Sequence, residues 1–175
     1  MPDDELQAYR TRWARLFPEQ RHVDFDDCVV TNDYCLDCRF CCGPQKESEP
    51  FPMALLDRQI SDRTADDFYL LDDHTACLDQ RGCKALGPAG CRLDRSLRPV
   101  ACALFPFVLV NRRLYLYRVC PASMFVDAAA LADMGRRIHA WLATLDPADI
   151  ERISISRRPE DLAAKYLDLN LPVLV

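Results

Sequence analysis

Apolar residues recur at helical spacing near the start of the chain and again in its last third. Residues 4–17 carry them on one face and are followed by Pro18, which predicts an N-terminal amphipathic helix. A second helix is expected over residues 123–145 and a third from about Pro159 to Leu167. The two ends of the chain are therefore expected to be helical.

The middle of the chain contains the segments that favour β-structure. Two runs rich in β-forming residues, Phe107–Val110 and Leu114–Val119, flank the short segment 111–113 and predict a β-hairpin. Shorter strands are expected at Phe68–Leu71 and at Arg152–Ser156.

Prolines and glycines divide the rest of the middle segment. A short helix is expected around Met53–Ile60, after two prolines. Pro99 predicts another short helix that ends at Pro106 and holds Cys102 in its first turn. We therefore predict an α+β fold in which N- and C-terminal helices clad a small irregular core with a β-hairpin.

Length and composition limit the classes of protein to be considered. The chain has 175 residues, half of them hydrophobic, so we expect residues 1–175 to form a single globular domain. A formal net charge of −5 makes nucleic acid an unlikely partner, and the apolar runs are too short for a membrane span. The first residues are charged and lack the apolar region of a secretory signal, which predicts a cytoplasmic protein.

Cysteine is the residue type that carries the candidate chemistry. Four of the ten cysteines form the pattern CxxCxxCC at Cys35, Cys38, Cys41 and Cys42. A thiol every third residue lets one loop close on one metal centre, and soft thiolates favour zinc or an iron–sulfur cluster. A disulfide framework is the alternative for an even number of cysteines, but the reducing cytosol and the close spacing disfavour it. A thioredoxin-like redox pair is disfavoured too, because no βαβ pattern surrounds the first CxxC.

The remaining cysteines extend the site beyond the loop, so that the cysteine core covers about residues 28–121. Turns and cysteines alternate over residues 77–102, an irregular stretch of the kind that a metal has to organise.

The order of these motifs resembles the YkgJ-type cysteine-cluster family, described as zinc- or iron-chelating domains. The resemblance rests on CxxCxxCC, a following Cys83, the segment from Cys91 to Cys102 that contains Arg98-Pro99-Val-Ala-Cys102, and Phe105-Pro106. It implies metal chelation by seven residues that match the motif: Cys35, Cys38, Cys41, Cys42, Cys83, Cys91 and Cys102. A similar cluster in flagellin lysine methylases makes a cluster-dependent methyltransferase a third hypothesis, although no methyl-donor motif accompanies it.

Three further cysteines lie outside the motif. Cys120 precedes a proline, as does the remote ligand of some ferredoxin loops, and we include it as an eighth ligand; the alternative is a buried free thiol. Cys28 and Cys77 are interpreted as buried small residues. The adjacent Cys41 and Cys42 serve one centre only if the loop turns sharply, and otherwise face two sites.

Zinc and iron–sulfur clusters both take four thiolates, but the ferredoxin-like spacing favours a 4Fe-4S cluster, with zinc as the alternative. The three histidines, at positions 22, 74 and 139, show no ligand spacing. The sequence thus predicts a metal-binding protein for electron transfer, sensing or structure. The main alternative is a zinc-stabilised module that binds a protein partner.

Charge is distributed unevenly along the chain. Residues 81–118 contain seven arginines and one lysine against a single aspartate. Arg98, next to Pro99, is the candidate for contacting the cluster, where its charge would balance that of the thiolates. The alternatives are a solvated surface charge or a basic face for nucleic acid or an acidic partner. Nucleotide-binding and hydrolase motifs are missing from the sequence, which makes an enzyme the less favoured class.

Overall fold

The computed structural model describes residues 41–48, 50–94, 97–120, 123 and 128–175. Helices and antiparallel strands occur in separate parts of it, which confirms the α+β class. The strands are β1 (Phe51–Ala54), β2 (Tyr69–Asp72), β3 (Thr75–Leu78), β4 (Leu86–Gly87), β5 (Gly90–Cys91), β6 (Phe107–Val110), β7 (Arg113–Tyr117) and β8 (Tyr166–Asp168). The helices are α1 (Thr64–Asp67), α2 (Val100–Leu104), α3 (Ala128–Leu142), α4 (Pro147–Ile153) and α5 (Pro159–Lys165), with a 3-10 turn at Asp57–Gln59.

The first sheet has the order β1-β3-β2 and is antiparallel throughout. Its apolar side chains, among them Met53, Ala76 and Leu78, form a small core. Three cysteines, Cys83, Cys91 and Cys102, are partly buried and pack against that core. This sheet therefore supports the cysteine-rich part of the chain.

The second sheet has the order β6-β7-β8 and contains the predicted hairpin. Asn111 and Arg112 connect β6 to β7 with φ angles of 49° and 61°. Two successive positive φ angles are those of a type I′ turn, whose twist matches that of the strands. Tyr166 of β8 pairs with Tyr117 of β7, so the end of the chain returns to the hairpin.

A larger core lies between the second sheet and the C-terminal helices. Helix α3 buries Leu131, Met134, Ile138 and Leu142, which recur every three or four residues along one face. They pack in one cluster with Phe107, Leu114 and Ile150. Helix α2 contacts both β1 and β6, and so connects the two sheets.

Three sequence predictions of secondary structure are confirmed: the strand near residues 69–71, the short helix after Pro99, and the hairpin. The helix expected at Met53–Ile60 is wrong, because residues 51–54 form β1 and only a 3-10 turn follows. Helical backbone angles are disfavoured for a residue that precedes a proline. Pro52 is tolerated within a strand because β1 lies at the edge of its sheet.

The C-terminal predictions need two corrections. The strand expected at Arg152–Ser156 is wrong: α4 runs to Ile153, and Ile155 makes only an isolated bridge to Val110. Helix α5 ends at Lys165 and not at Leu167, because Tyr166 is buried in an extended conformation against β7. The N-terminal helix expected over residues 4–17 lies outside the described residues.

Among the helices that the structure describes, none combines the length and the apolar character needed to cross a membrane.

Candidate metal centre

Five of the eight cysteines predicted as ligands line one cavity of about 420 Å³. They come from four separate places: the loop before β1, the turn before β4, strand β5 and helix α2. The five are Cys41, Cys42, Cys83, Cys91 and Cys102. No disulfide joins any two of the seven cysteines in the described part of the chain.

Backbone hydrogen bonds hold the first two cysteine segments together. The N–H of Cys83 donates to the carbonyl of Cys42 at 2.8 Å, and the N–H of Gln45 donates to the carbonyl of Asp79 at 2.9 Å. Gly82 lies at this contact with a φ of +75°, and a Cβ added to it would be 3.0 Å from the Cys42 carbonyl oxygen. Only glycine allows the two segments to approach this closely in this conformation.

The loop turns sharply at the adjacent pair Cys41 and Cys42. The Gln45 side chain donates from Nε2 to the carbonyls of Cys41, at 3.2 Å, and Gly43, at 2.9 Å. The thiol of Cys41 hydrogen-bonds to the sulfur of Cys42, and both residues line the same cavity. The two neighbours therefore face the same cavity.

Cys83 and Cys91 are positioned by the smallest hairpin of the fold. Leu86 of β4 pairs with Cys91 of β5, and its N–H donates to the Cys83 carbonyl at 3.1 Å. The sulfur of Cys83 accepts hydrogen bonds from the backbone N–H groups of Ala85 and Leu86. Such bonds stabilise a sulfur that carries negative charge.

Cys102 reaches the cavity from helix α2. Its N–H donates to the Pro99 carbonyl at 2.9 Å, in the first turn of the helix, as the sequence predicts. Its sulfur lies 3.5 Å from the thioether sulfur of Met53 in β1. The thiol is thus fixed between the first sheet and the helix.

The thiols of this cavity differ in acidity. The hydrogen bond from Cys41 lowers the pKa of Cys42 to about 7, with a further contribution from the positive charge of Arg98 and against the effect of burial. Burial raises the pKa of Cys83 to about 11. Cys42 therefore provides a thiolate near neutral pH more readily than Cys83 does.

Arg98 is buried beside these cysteines and lines the cavity, with 7% of its surface exposed. It donates from Nε and Nη2 to the carbonyl of Leu93, at 3.2 and 3.1 Å. Its own carbonyl accepts a hydrogen bond from Nε2 of Gln59. The alternative of a solvated surface charge is therefore wrong.

The remaining sequence predictions fall elsewhere. Cys35, Cys38 and Cys28 lie outside the described residues. Cys120 is buried in the larger core, 3% exposed, and is not among the described residues that line the cavity. Cys77 is buried in β3, and His74 lies on the surface with Nε2 3.5 Å from a carboxylate oxygen of Asp57.

The cavity has a second wall that the sequence did not predict. It carries aromatic and charged side chains from α2, β7, α5 and their surroundings, namely Phe105, Tyr117, Arg157, Arg158, Lys165 and Tyr166. Its residues 157–166 lie more than fifty residues beyond Cys102, and no cysteine motif marks them. The only signal is the Arg157-Arg158-Pro159 run before a helix that has a buried tyrosine at its end.

The five cysteines that line the cavity form its thiol wall. Their sulfur atoms are soft donors, which suit a thiolate-bound metal. Within the described stretches, however, no three side chains of Cys, His, Asp or Glu converge closely enough to hold a single ion. The donors surround a volume and do not meet at a point.

Comparisons with protein-family models, curated proteins and solved structures found no match to this chain. The resemblance to the YkgJ-type family stays a prediction that rests on the cysteine motifs.

Proposed function

We propose that the chain binds a metal centre through cysteine thiolates in this cavity, and that the centre is an iron–sulfur cluster of the 4Fe-4S type. The observation that carries the proposal is the arrival of five cysteine thiols from four separate segments at one cavity. Cys35 and Cys38 complete the motif and join the ligand set in this proposal.

The spacing of the thiols favours a cluster over a single ion. Four sulfurs around one zinc ion at about 2.3 Å lie roughly 3.8 Å from each other. The ligands of a cubane cluster bind four different iron atoms and are farther apart. Cysteines that come from four separate segments and line one cavity suit the larger centre.

The protein's own residues would prepare the site in three ways. Because its pKa is about 7, Cys42 loses its proton near neutral pH at a small cost in free energy. The N–H groups of Ala85 and Leu86 donate to the sulfur of Cys83, and Arg98 supplies a buried positive charge. When bound, such a cluster supplies one-electron transfer. The proposed roles are therefore electron transfer, sensing or stabilisation of the fold, in the cytoplasm.

The test compares the protein purified without oxygen with two cysteine variants. We expect a brown protein that contains iron and acid-labile sulfide. Cys102→Ser should lower the iron content and the melting temperature, since metal binding energy is folding energy in such sites. Cys77→Ser is the matched control, because Cys77 is buried in β3 and is not among the residues that line the cavity.

Two results would contradict the proposal. A colourless protein with stoichiometric zinc would replace the cluster by the zinc-stabilised module. Full metal retention in Cys102→Ser would show that the second cysteine block does not contribute ligands.

A further inference from the structure

Cations outnumber carboxylates among the described side chains that line the cavity. Four cations line it, Arg98, Arg157, Arg158 and Lys165, whereas Asp161 is the only carboxylate among the described lining residues. The chain as a whole has a net charge of −5. The arginine, lysine and aspartate side chains that line the cavity thus carry a net positive charge, unlike the chain as a whole, and this favours an anion.

We call Arg157, Arg158 and Lys165 the basic wall of the cavity. The second sheet holds the backbone near both ends of this wall in place. The backbone of Ile155 exchanges hydrogen bonds with β6 and its turn, donating to the Leu109 carbonyl and accepting from the Asn111 N–H, both at 3.0 Å. Arg157 follows two residues later. At the other end of the wall the N–H of Arg118 donates to the Lys165 carbonyl at 2.9 Å. Preorganised cations bind an anion at a lower entropic cost than mobile ones.

The cations of this wall differ in their present partners. Nε of Arg158 lies 3.4 Å from carboxylate oxygens of both Glu160 and Asp161. Arg157 donates from Nη1 to the carbonyl of Ser156 at 3.0 Å, and within the described residues it forms no ion pair. Arg157 therefore retains guanidinium donors for a ligand.

Aromatic rings line the same cavity as these cations. The ring centroids of Phe105 and Tyr117 are 5.8 Å apart, and those of Tyr117 and Tyr166 are 5.3 Å apart. All three residues line the cavity. Such a row of rings offers a surface for an aromatic group.

We propose that the cavity binds a small aromatic carboxylate, with its carboxylate on Arg157 and its ring against Tyr117 and Tyr166. The volume of about 420 Å³ lies in the range of small-molecule sites, roughly 300–1,000 Å³, which favours a small ligand over a protein segment. A planar guanidinium binds a carboxylate through two parallel hydrogen bonds. This proposal uses the basic wall and is independent of the identity of the metal.

Three probes of the same shape test the proposal: 3-phenylpropionate, 3-phenylpropionamide and 3-phenylpropylamine. Binding to the purified full-length protein is measured by calorimetry and by ligand-observed NMR. We expect the carboxylate to bind roughly tenfold more tightly than the amide, because the neutral amide lacks the charge-assisted hydrogen bond to Arg157. The amine should bind most weakly, because its positive charge is repelled by that of Arg157.

Two variants and a control locate the binding. Arg157→Gln should remove the preference for the carboxylate over the amide, whereas Tyr117→Leu should weaken both ligands. Arg136→Gln is the control, because Arg136 is exposed on α3, is paired with Asp133 and is not among the described residues lining the cavity. Metal content measured in every sample separates a lost anion site from a lost metal centre.

Equal affinity for the carboxylate and the amide would overturn the proposal. So would an unchanged preference in Arg157→Gln, or no binding of any probe at millimolar concentration to protein that melts normally.

Discussion

Gly82 is the residue that lets the two cysteine segments meet. Its positive φ strains any residue with a side chain, and an added Cβ would lie so close to the Cys42 carbonyl oxygen that the loop would have to shift. Because the Cys83 N–H donates to that same carbonyl, the alignment of Cys42 with Cys83 depends on this glycine.

Gly82→Ala should destabilise the fold by about 1–2 kcal/mol from the backbone conformation alone, and more if the contact with the loop is not relieved. Metal content should fall together with the melting temperature. Gly87→Ala is the matched control, since a Cβ there would lie 3.5 Å from the Gly90 oxygen, an ordinary contact. Equal melting temperatures for the two variants would contradict this account of the contact.

Arg98 is the second residue whose role follows from its position. A buried guanidinium that donates twice to Leu93 and lies near Cys42 ties the backbone before α2 to the thiols. The sequence identified Arg98 as a charge near the site, but it did not show that the side chain also stabilises the backbone.

Arg98→Ala should cost about 1.5–3 kcal/mol of unfolding free energy, because hydrogen bonds from a charged donor to a buried carbonyl are lost. Arg98→Lys keeps the charge but loses the planar fork, so it should recover only part of the stability. Chemical denaturation and metal analysis of the three proteins check this. If Arg98→Ala changed stability by less than about 0.5 kcal/mol, the side chain would behave as a surface residue.

Helices and strands were predictable where local pattern and tertiary structure agree. The hairpin at residues 107–117 and the helix after Pro99 follow from β-forming runs and proline position. The predictions failed where packing overrides propensity: β1 forms because it pairs with β3, and Tyr166 leaves α5 because it pairs with β7.

The candidate site was predictable only in part. Cysteine spacing identified the thiol wall, because metal ligands need particular residue types. Residues 157–166 also line the cavity, but their approach to Cys102 depends on the order of strands in the second sheet. Cys120 shows the limit of spacing as a guide, since burial places it in the larger core.

The turn between β6 and β7 allows a stabilising substitution. Arg112 has a φ of 61°, and its backbone N–H donates to Oγ of Ser154 at 2.7 Å. Arg112→Gly keeps that hydrogen bond and removes the strain of a left-handed conformation. We expect a gain of about 0.5–1 kcal/mol after the greater flexibility of glycine in the unfolded chain is allowed for.

The control for this turn is Arg113→Gly, one residue further along. Arg113 lies in β7, opposite Val110, and Nη1 lies 3.1 Å from a carboxylate oxygen of Asp168. Glycine there should destabilise the fold by about 0.5–1 kcal/mol. Thermal melts that showed the same sign of change for both variants would contradict the conformational explanation.

Buried apolar side chains are distributed unevenly over the three sheets of the described structure. The second sheet and α3 share a large apolar core, with Phe107, Leu114 and Ile138 fully buried. Residues 79–94 contain only two strands of two residues each and few buried side chains. A metal bound by Cys83 and Cys91 would supply the cross-link that this segment otherwise lacks.

Removal of the metal should therefore loosen residues 79–94 and leave the second sheet intact. Hydrogen exchange measured before and after chelation should show faster exchange at amides such as Leu86 and Arg92, whose N–H groups donate to Cys83 and Ala85 at 3.1 and 3.0 Å. Amides of β6 and β7 should keep their protection, because local opening follows local burial. Unchanged exchange over residues 79–94 in protein shown to be metal-free would mean that Cys83 and Cys91 stabilise the fold without a metal.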